Sequence, residues 1–254
     1  MLTEERHKLI LEELRNNSVV YVNELGKMLD TSESTIRRDL NYLDEVGKLK
    51  KVHGGATLLE KEFHTKDDLV SIRETLNIND KSIIAKHAAS LIKKDDFVYI
   101  DSGTTTNLMI DFLEEKEAIY VTNGINQAKK LISNGFRTYI LGGEIKDSTE
   151  AIVGVEAINS LKRYNFTKGF FGTNGISDYR GYTTPDMKEA LVKEEALKRT
   201  RNSYILADKT KFNEISCITF GEIDEAVIIT TILENTSYCN KAEIVEVLKL
   251  WFIL

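Results

Sequence analysis

Hydroxyl, guanidinium and amide side chains recur between residues 32 and 41 at spacings that place them on one side of a helix. Ser32 is a typical N-cap, and three apolar residues follow at the spacing of one buried stripe: Ile36, Leu40 and Leu43. The outward set is then Ser34, Thr35, Arg37, Arg38 and Asn41. Arginine can pair with guanine, asparagine with adenine, and serine or threonine with phosphate, so these groups suit a DNA major groove. The alternative is an ordinary amphipathic helix with solvated arginines, and spacing alone leaves both open.

A short basic segment follows this helix. Gly47 is a typical helix stop, and Lys48 to His53 alternates like a strand before the turn at Gly54 and Gly55. We therefore predict a basic, two-stranded wing.

The elements before the helix are those needed to position it. Residues Thr3 to Asn16 have a helical pattern, Val19 to Val22 is a short β-branched stretch, and a second helix runs from about Asn23 to Leu29. Asp30 and Thr31 make a tight turn into the groove-facing helix. The predicted order is helix, strand, helix, turn, helix, wing.

This region resembles the DeoR family of winged helix-turn-helix repressors, whose signature is S-x-x-T-I-R-R-D-L…L…G…HGGA. The matching positions are Ser32, Thr35, Ile36, Arg37, Arg38, Asp39, Leu40, Leu43, Gly47, His53, Gly54, Gly55 and Ala56. Two positions depart from the family: Thr31 replaces a small apolar residue, and Lys51 replaces Arg. The predicted DNA-contacting residues are Ser32, Ser34, Thr35, Arg37, Arg38, Asn41, Lys51, His53 and Gly54.

A second constellation lies where the predicted strand Phe97–Asp101 runs into a helix. The turn reads Asp101-Ser102-Gly103-Thr104-Thr105-Thr106, so hydroxyl and backbone N–H groups gather at a helix N-terminus, where an anion such as phosphate is favoured. The alternative is a well-capped strand-to-helix turn without a ligand.

Strand and helix patterns alternate after Lys81, which predicts a mainly parallel sheet. Polar turns follow its strands at Thr122-Asn123, Gly142-Gly143, Thr173-Asn174 and Asp208 to Lys211. Ligands of such sheets bind beyond the carboxyl ends of the strands. Glu189 and Lys193 stand four residues apart on a helix, where they could form a surface ion pair or Lys193 could meet a phosphate.

These motifs also resemble the DeoR family, over residues 1 to about 231 in all. They include D-S-G-T-T from Asp101, E-A-x-x-K from Glu189, D-x-x-K-F from Asp208, and the spacing of Arg73, Asn77 and Lys81, while Asp95 departs from a usual Gly. The resemblance implies a C-terminal domain with a fold like ribose-5-phosphate isomerase and a sugar-phosphate effector. The predicted effector-binding residues are Asp101, Ser102, Gly103, Thr104, Thr105, Thr106, Thr122, Asn123, Gly142, Gly143, Asn174, Lys193, Asp208 and Lys211.

Composition and length limit the class of protein. The chain has 254 residues, 42% hydrophobic and 29% charged, enough for a buried core. Residues 1–60 hold nine Lys or Arg against eleven Asp or Glu, so any attraction for DNA must come from local placement of cations. We expect no signal peptide and no membrane span, and two cysteines fit a reducing cytoplasm. The four histidines are scattered, so no metal site and no catalytic residue is predicted.

The sequence thus predicts an α/β protein with an N-terminal winged helix-turn-helix domain at 1–57, a linker at 58–79 and an effector-binding domain with a mainly parallel sheet at 80–254. The resemblance to the DeoR family implies a repressor of a sugar-utilisation operon that a phosphorylated sugar releases from double-stranded operator DNA. By similarity to repressors of phosphotransferase sugar operons, fructose 1-phosphate is favoured and tagatose 6-phosphate is next. We expect no cofactor and a homodimer or homotetramer. The alternative is an isomerase-like enzyme with an accessory DNA-binding domain.

Overall fold

The computed structural model describes residues 2–17, 19–57, 70–233 and 241–248. It contains two compact units, Met1–Glu62 and Phe63–Leu254. Most of the predicted linker, residues 58–69, and the end of the apolar C-terminal tail, residues 249–254, lie outside the described residues. Each unit is described below by itself.

The first unit is a helical domain with a small sheet. Its elements are α1 (Thr3–Asn17), β1 (Val19–Tyr21), α2 (Val22–Met28), α3 (Glu33–Glu45), β2 (Lys50–Val52) and β3 (Gly55–Thr57). The strands form one antiparallel sheet in the order β1-β3-β2. The predicted wing of two strands is therefore extended by β1, because the β-branched stretch before α2 pairs with the strand that follows Gly54.

The core of this unit is built by the stripe that the sequence predicted. Ile36, Leu40 and Leu43 of α3 are buried and form one cluster with Ile10, Leu14, Leu25, Leu49 and Ala56. Burying such aliphatic side chains is the main source of stability in a domain of this size, at about 1.5–3 kcal/mol for each. The buried stripe fixes which side chains of α3 face solvent.

The second unit is larger and alternates helices with strands. Its helices are α4 (Val70–Thr75), α5 (Ile78–Ser90), α6 (Thr104–Met109), α7 (Ile125–Ser133), α8 (Val155–Leu161) and α9 (Met187–Lys198), with short 3-10 helices at Ile110–Phe112 and Lys209–Lys211. Its strands are β4 (Phe97–Ile100), β5 (Ile119–Thr122), β6 (Arg137–Ile140), β7 (Glu144–Lys146), β8 (Ala151–Val153), β9 (Phe166–Gly172), β10 (Gly175–Ser177), β11 (Gly181–Thr184), β12 (Thr200–Leu206), β13 (Ile218–Gly221), β14 (Val227–Thr230) and β15 (Ile244–Glu246).

A seven-stranded sheet forms the centre of this unit, in the order β15-β14-β12-β9-β4-β5-β6. Every pairing within it is parallel. From β4 the chain first builds outward through β5 to β6 and then returns to build outward from β9 on the other side. The boundary between β4 and β9 is therefore the point where the strand order reverses, and a crevice opens there at the carboxyl ends of the strands.

Helices cover the two faces of this sheet. On one face α5 packs through Ile84, Ala85 and Ala88 against Val98, Ile100 and Tyr120. On the other face α9 packs through Ala190, Val192 and Ala196 against Tyr99, Val121 and Phe171. Because neighbouring residues of a strand point to opposite faces, α5 and α9 lie on opposite sides of the sheet.

The fold prediction is confirmed: the protein is α/β, with an N-terminal helix-turn-helix unit and a larger unit built on a parallel sheet. Five short strands were not predicted, namely β7, β8, β10, β11 and β13. They have three or four residues each and form small antiparallel sheets, so they are too short to show a period of two. The helix predicted to follow strand Phe97–Asp101 is present as α6, which ends at Met109 and continues as a 3-10 turn.

Strand β15 lies at one edge of the large sheet. Among the described residues, no helix is both long and apolar enough to cross a membrane.

Candidate functional site

The N-terminal end of α3 carries a cluster of hydroxyl groups. The Ser32 Oγ accepts a hydrogen bond from the Thr35 backbone N–H at 3.2 Å, which confirms the predicted N-cap. The same oxygen lies 2.8 Å from the Ser34 Oγ and 2.9 Å from the Thr35 Oγ1. Three hydroxyls are thus held together at the start of the helix, on a surface open to solvent.

The outward face of α3 has the predicted side chains. Ser34, Arg37, Arg38 and Asn41 are exposed, and Thr35 is half-buried. Arg37 donates to the Glu33 Oε2 at 2.9 Å, so its guanidinium is partly neutralised. For Arg38, the part of the chain that the structure describes contains neither a hydrogen-bond acceptor nor an ion-pair partner. Arg38 is therefore the guanidinium on this face that is available to a ligand.

Asp39, which stands between Arg38 and Leu40 in the signature, faces inward. It is 5% exposed, and its Oδ2 accepts from Arg6 Nε at 2.6 Å. Its Oδ1 accepts from Arg6 Nη2 at 3.0 Å and also lies 3.0 Å from His7 Nε2. Burial alone would raise the pKa of Asp39, but the hydrogen bonds from Arg6 and His7 outweigh it, and the pKa lies below its ordinary value. Asp39 therefore anchors α3 to α1 and does not belong to the outward face.

The two glycines of the wing are needed for different structural reasons. Gly54 has φ +83° and open space around it, so it serves the left-handed turn between β2 and β3. At Gly55 a Cβ would lie 2.0 Å from the Val20 carbonyl oxygen, so only glycine lets β3 pair closely with β1. The wing side chains Lys51 and His53 are exposed.

A cavity lies in the second unit at the carboxyl ends of β4, β9 and β12. Eight predicted effector residues line it: Ser102, Gly103, Thr104, Thr105, Asn174, Lys193, Asp208 and Lys211. Seven of them come from three turns that follow strands, and Lys193 comes from α9. The parallel arrangement of the strands brings the three turns to one edge. The site is therefore where the strand order predicts it.

Six predicted residues do not line this cavity, and four of them are buried: Asp101, Thr106, Thr122 and Asn123. Asp101 and Thr106 are 0% exposed, and the Thr106 hydroxyl closes the turn onto the Asp101 carbonyl at 2.6 Å. The Asn123 side chain bonds with Tyr99 OH at 3.0 Å and with the Ile152 carbonyl at 3.3 Å, and the Thr122 hydroxyl accepts from the Gly124 N–H. At Gly143 (φ +151°) a Cβ would lie 2.6 Å from the Val153 carbonyl. Gly142 is exposed at the start of the β7–β8 hairpin.

One end of the cavity is cationic. Arg73, Lys81 and Lys211 line it together with Asp208. Lys81 Nζ donates to the Thr104 Oγ1 at 3.1 Å and also to the Arg73 carbonyl. Burial lowers the pKa of Lys81, and the charges of Lys211 and Arg73 lower it further, while Asp208 acts in the opposite direction. These cations crowd one another, and an anion between them would relieve their repulsion.

The carboxylate of Asp208 is held in place at this end. It is 2% exposed, accepts from the Thr210 N–H at 2.9 Å, and accepts from the Asn77 side-chain amide at 3.3 Å. Asn77 has φ +53° and immediately precedes α5. The end of α4, the start of α5 and the turn after β12 are thus joined at one point.

Lys193 and Asp101 form a buried ion pair beneath the cavity. Lys193 Nζ bonds to the Asp101 Oδ2 and donates to the Gly172 carbonyl at 3.0 Å. The Asp101 Oδ2 also accepts from the Gly172 N–H at 3.0 Å. The pair therefore connects the carboxyl ends of β4 and β9 with α9.

Of the two alternatives for Glu189 and Lys193, the surface ion pair is wrong. Both are buried, at 6% and 5% exposed, and each has another partner. The Glu189 Oε1 accepts from the Thr149 hydroxyl and from Lys146 Nζ at 3.1 Å, both in the β7–β8 hairpin. The hairpin lies against this part of α9, so residues spaced for a surface pair are covered by a segment that the sequence did not identify.

Several cavity residues were absent from the predicted set, notably Arg73, Asn77, Lys81, Thr149 and Glu189. The spacing of four residues from Arg73 to Asn77 and on to Lys81 was visible in the sequence, but it crosses a helix boundary, so it did not indicate one face. Thr149 carried no signal, because it lies in the turn of an unpredicted hairpin.

Comparison with known proteins defines the class. Residues 6–62 match the model of the DeoR-like helix-turn-helix domain, and residues 76–231 match that of the DeoR C terminal sensor domain. The chain belongs to the DeoR family.

Individual relatives agree with this class. The chain is 44% identical to the HTH-type transcriptional regulator FruR of Bacillus subtilis, itself uncharacterized, over 98% of this chain and 100% of that protein. It is 32% identical to the regulator IolR of Bacillus subtilis, over 92% and 94%, and 33% identical to the lactose phosphotransferase system repressor of Staphylococcus epidermidis, over 89% and 90%. Among solved structures, ribose 5-phosphate isomerase A of Methanocaldococcus jannaschii aligns with 54% of this chain and 55% of its own, at a TM-score of 0.40 and 13% identity.

The family and these relatives indicate a DNA-binding transcriptional regulator and not an enzyme. The N-terminal unit is its DNA-binding domain, and the unit with the parallel sheet is its sensor domain.

Proposed function

We propose that the protein represses a sugar-utilisation operon and leaves its operator when the sensor domain binds a small phosphorylated sugar. The observation that carries the effector class is the cationic end of the cavity, where Arg73, Lys81 and Lys211 surround Asp208 and the Thr104 hydroxyl. A phosphate monoester carries a charge of about −1.5 to −2 near pH 7, which complements the net positive charge of three cations and one carboxylate.

On DNA, we propose that α3 reads the major groove. Arg38 and Asn41 would supply the base contacts, and the hydroxyls of Ser32, Ser34 and Thr35 would contact phosphates near the helix start. Lys51 and His53 of the wing would add backbone contacts. We propose that the protein acts in the cytoplasm as a homodimer or homotetramer, because a second recognition helix multiplies a modest single-site affinity.

The protein releases its DNA if the effector binds the DNA-competent arrangement of the domains less tightly than it binds an arrangement that does not bind DNA. The coupling free energy equals that difference in affinity. We favour fructose 1-phosphate as the effector and tagatose 6-phosphate next, and no cofactor is needed for either step.

The test is fluorescence anisotropy of a labelled DNA fragment from upstream of the protein's own operon, at one fixed salt concentration. Addition of fructose 1-phosphate, tagatose 6-phosphate or another sugar monophosphate should release the DNA, whereas fructose and tagatose should not. Lys211→Ala should retain DNA binding and lose the response. Lys209→Ala is the matched control, because Lys209 is exposed in the same turn and does not line the cavity.

The proposal fails if no sugar phosphate changes the anisotropy, or if the unphosphorylated sugars act equally well. Turnover of a sugar phosphate by the purified protein would contradict the assignment as a regulator.

A further inference from the structure

The cavity receives its charged side chains from opposite faces of the sheet. Lys81 comes from α5, which packs on one face, and Glu189 comes from α9, which packs on the other. Both residues line the same cavity at the strand ends. A ligand that fills the cavity therefore has a cationic group of residues on one side and the Glu189 carboxylate on the other.

Glu189 is a buried carboxylate with capacity left for a ligand. Its Oε1 accepts from the Thr149 hydroxyl and from Lys146 Nζ, which orients the group. For Oε2, the described residues offer no hydrogen-bond donor. Because an ionised carboxylate has about four acceptor positions, Glu189 can still accept hydrogen bonds from hydroxyl groups in the cavity.

The charge at the two ends differs in sign. The cationic end has Arg73, Lys81 and Lys211 against Asp208. Lys146 offsets the charge of Glu189 but also pairs with Asp186 at 3.4 Å, so two carboxylates share this cation. Lys193, one turn further along α9, also lines the cavity, but its charge is offset by the buried carboxylate of Asp101. A phosphate is attracted to the first end and repelled from the second.

Resting on the proposed function, we propose that Glu189 determines which phosphorylated sugars the sensor accepts. It accepts hydrogen bonds from the hydroxyl groups of the sugar and repels a second phosphate. The ligand class is therefore a sugar monophosphate with its phosphoryl group at the Lys81 end, and sugar bisphosphates are disfavoured. Thr149 and Lys146 are positioning residues, since they hold the Glu189 carboxylate.

The experiment is calorimetric titration of the full-length protein with three kinds of probe: inorganic phosphate, a monophosphate (fructose 1-phosphate and tagatose 6-phosphate), and fructose 1,6-bisphosphate. Wild type should bind a monophosphate more tightly than the bisphosphate. In Glu189→Gln, affinity for the monophosphate should fall about tenfold to hundredfold, the range expected when a charged acceptor is lost. Inorganic phosphate should bind within about twofold of wild type, and the ratio of bisphosphate to monophosphate affinity should rise.

Matched variants separate this role from a structural one. Glu194 lies on the same helix and forms an exposed ion pair with Lys198. The variant Glu194→Gln should therefore leave the affinities for all three kinds of probe unchanged. Thr149→Val removes one hydrogen-bond donor to Glu189 and should lower the affinity for the monophosphate only. If Glu189→Gln does not fold, as judged by its thermal unfolding, Thr149→Val carries the test.

Distinct results would overturn distinct proposals. If wild type binds none of the probes, the proposed function itself fails. If wild type binds phosphate and a monophosphate but Glu189→Gln weakens both equally, or neither, then Glu189 does not select the sugar. Tighter binding of the bisphosphate than of either monophosphate by wild type would also refute this inference while leaving a sugar-phosphate sensor intact.

Discussion

The carboxylate of Asp39 on α3 accepts two hydrogen bonds from the guanidinium of Arg6 on α1, at 2.6 and 3.0 Å. This bidentate pair fixes the orientation of α3 relative to α1. Arg38, which immediately precedes Asp39, is exposed on the outward face of the same helix. One inward carboxylate thus orients an adjacent outward cation.

The Asp39 pair makes the stability of the first domain depend on pH. Because the folded-state pKa of Asp39 lies below its ordinary value, the pair stabilises the domain above about pH 4, the unfolded pKa, and the contribution is lost as the pH falls through the folded pKa. Asp39→Asn should destabilise the domain by about 3 kcal/mol near pH 7. Hydrogen exchange of α3 peptides measures this, and a gap between wild type and variant that stays constant down to pH 2 would contradict it.

Arg38→Ala should weaken operator binding by about 1–3 kcal/mol and relax the base preference at one position, because a bidentate base contact is removed. Anisotropy titrations with the operator and with single-base variants of it measure both effects. Lys94→Ala is the control, since Lys94 is exposed in the sensor domain and pairs there with Glu117 at 2.6 Å. Unchanged operator affinity in Arg38→Ala would show that the groove assignment is wrong.

Adjacent glycines of the wing should respond differently to alanine. Gly55→Ala places a methyl group 2.0 Å from the Val20 carbonyl, so β1 and β3 must separate, at a cost of about 3 kcal/mol or more. Gly54→Ala meets no atom within 4 Å and costs only about 1 kcal/mol for its positive φ. Denaturant titration followed by circular dichroism compares the two. Equal losses would refute the close approach of the strands.

Lys193→Met should destabilise the sensor domain by about 3–5 kcal/mol, because it leaves the Asp101 carboxylate buried without its cation. The double variant Lys193→Met with Asp101→Asn should recover much of that loss, since no buried charge remains. Thermal unfolding of the two single variants and the double variant gives the coupling between them. Strictly additive losses would mean that the pair is not coupled.

Local patterns allowed the DNA-binding domain to be predicted well. The buried stripe of α3 and its Ser32 cap depend on residues within one helix, so they could be read directly from spacing. The inward role of Asp39 could not, because it depends on Arg6, which is 33 residues away in the sequence. Likewise, the pairing of β1 with β3 joins segments on opposite sides of α2 and α3.

In the sensor domain, residues that directly follow parallel strands were placed correctly at the cavity, as Ser102 and Asp208 illustrate. Strand order alone brings such turns to one edge. Lys81 and Glu189 reach the same cavity from helices, and their approach depends on how α5 and α9 pack, which spacing does not reveal. Thr122 and Asn123 show the converse, because Thr122 ends β5 and Asn123 follows it, but both side chains are buried in the core.

The residues that line the cavity extend along the sequence from Arg73 to Lys211, whereas the first compact unit is complete by Glu62. Translation from the N-terminus therefore completes the DNA-binding domain long before β12 leaves the ribosome. A nonsense mutation between these points would yield a fragment that keeps the exposed arginines of α3 but lacks the complete cavity of the sensor domain. Such truncation alleles should differ from ordinary null alleles wherever the fragment survives, since under the proposed function no sugar phosphate could release the fragment from DNA.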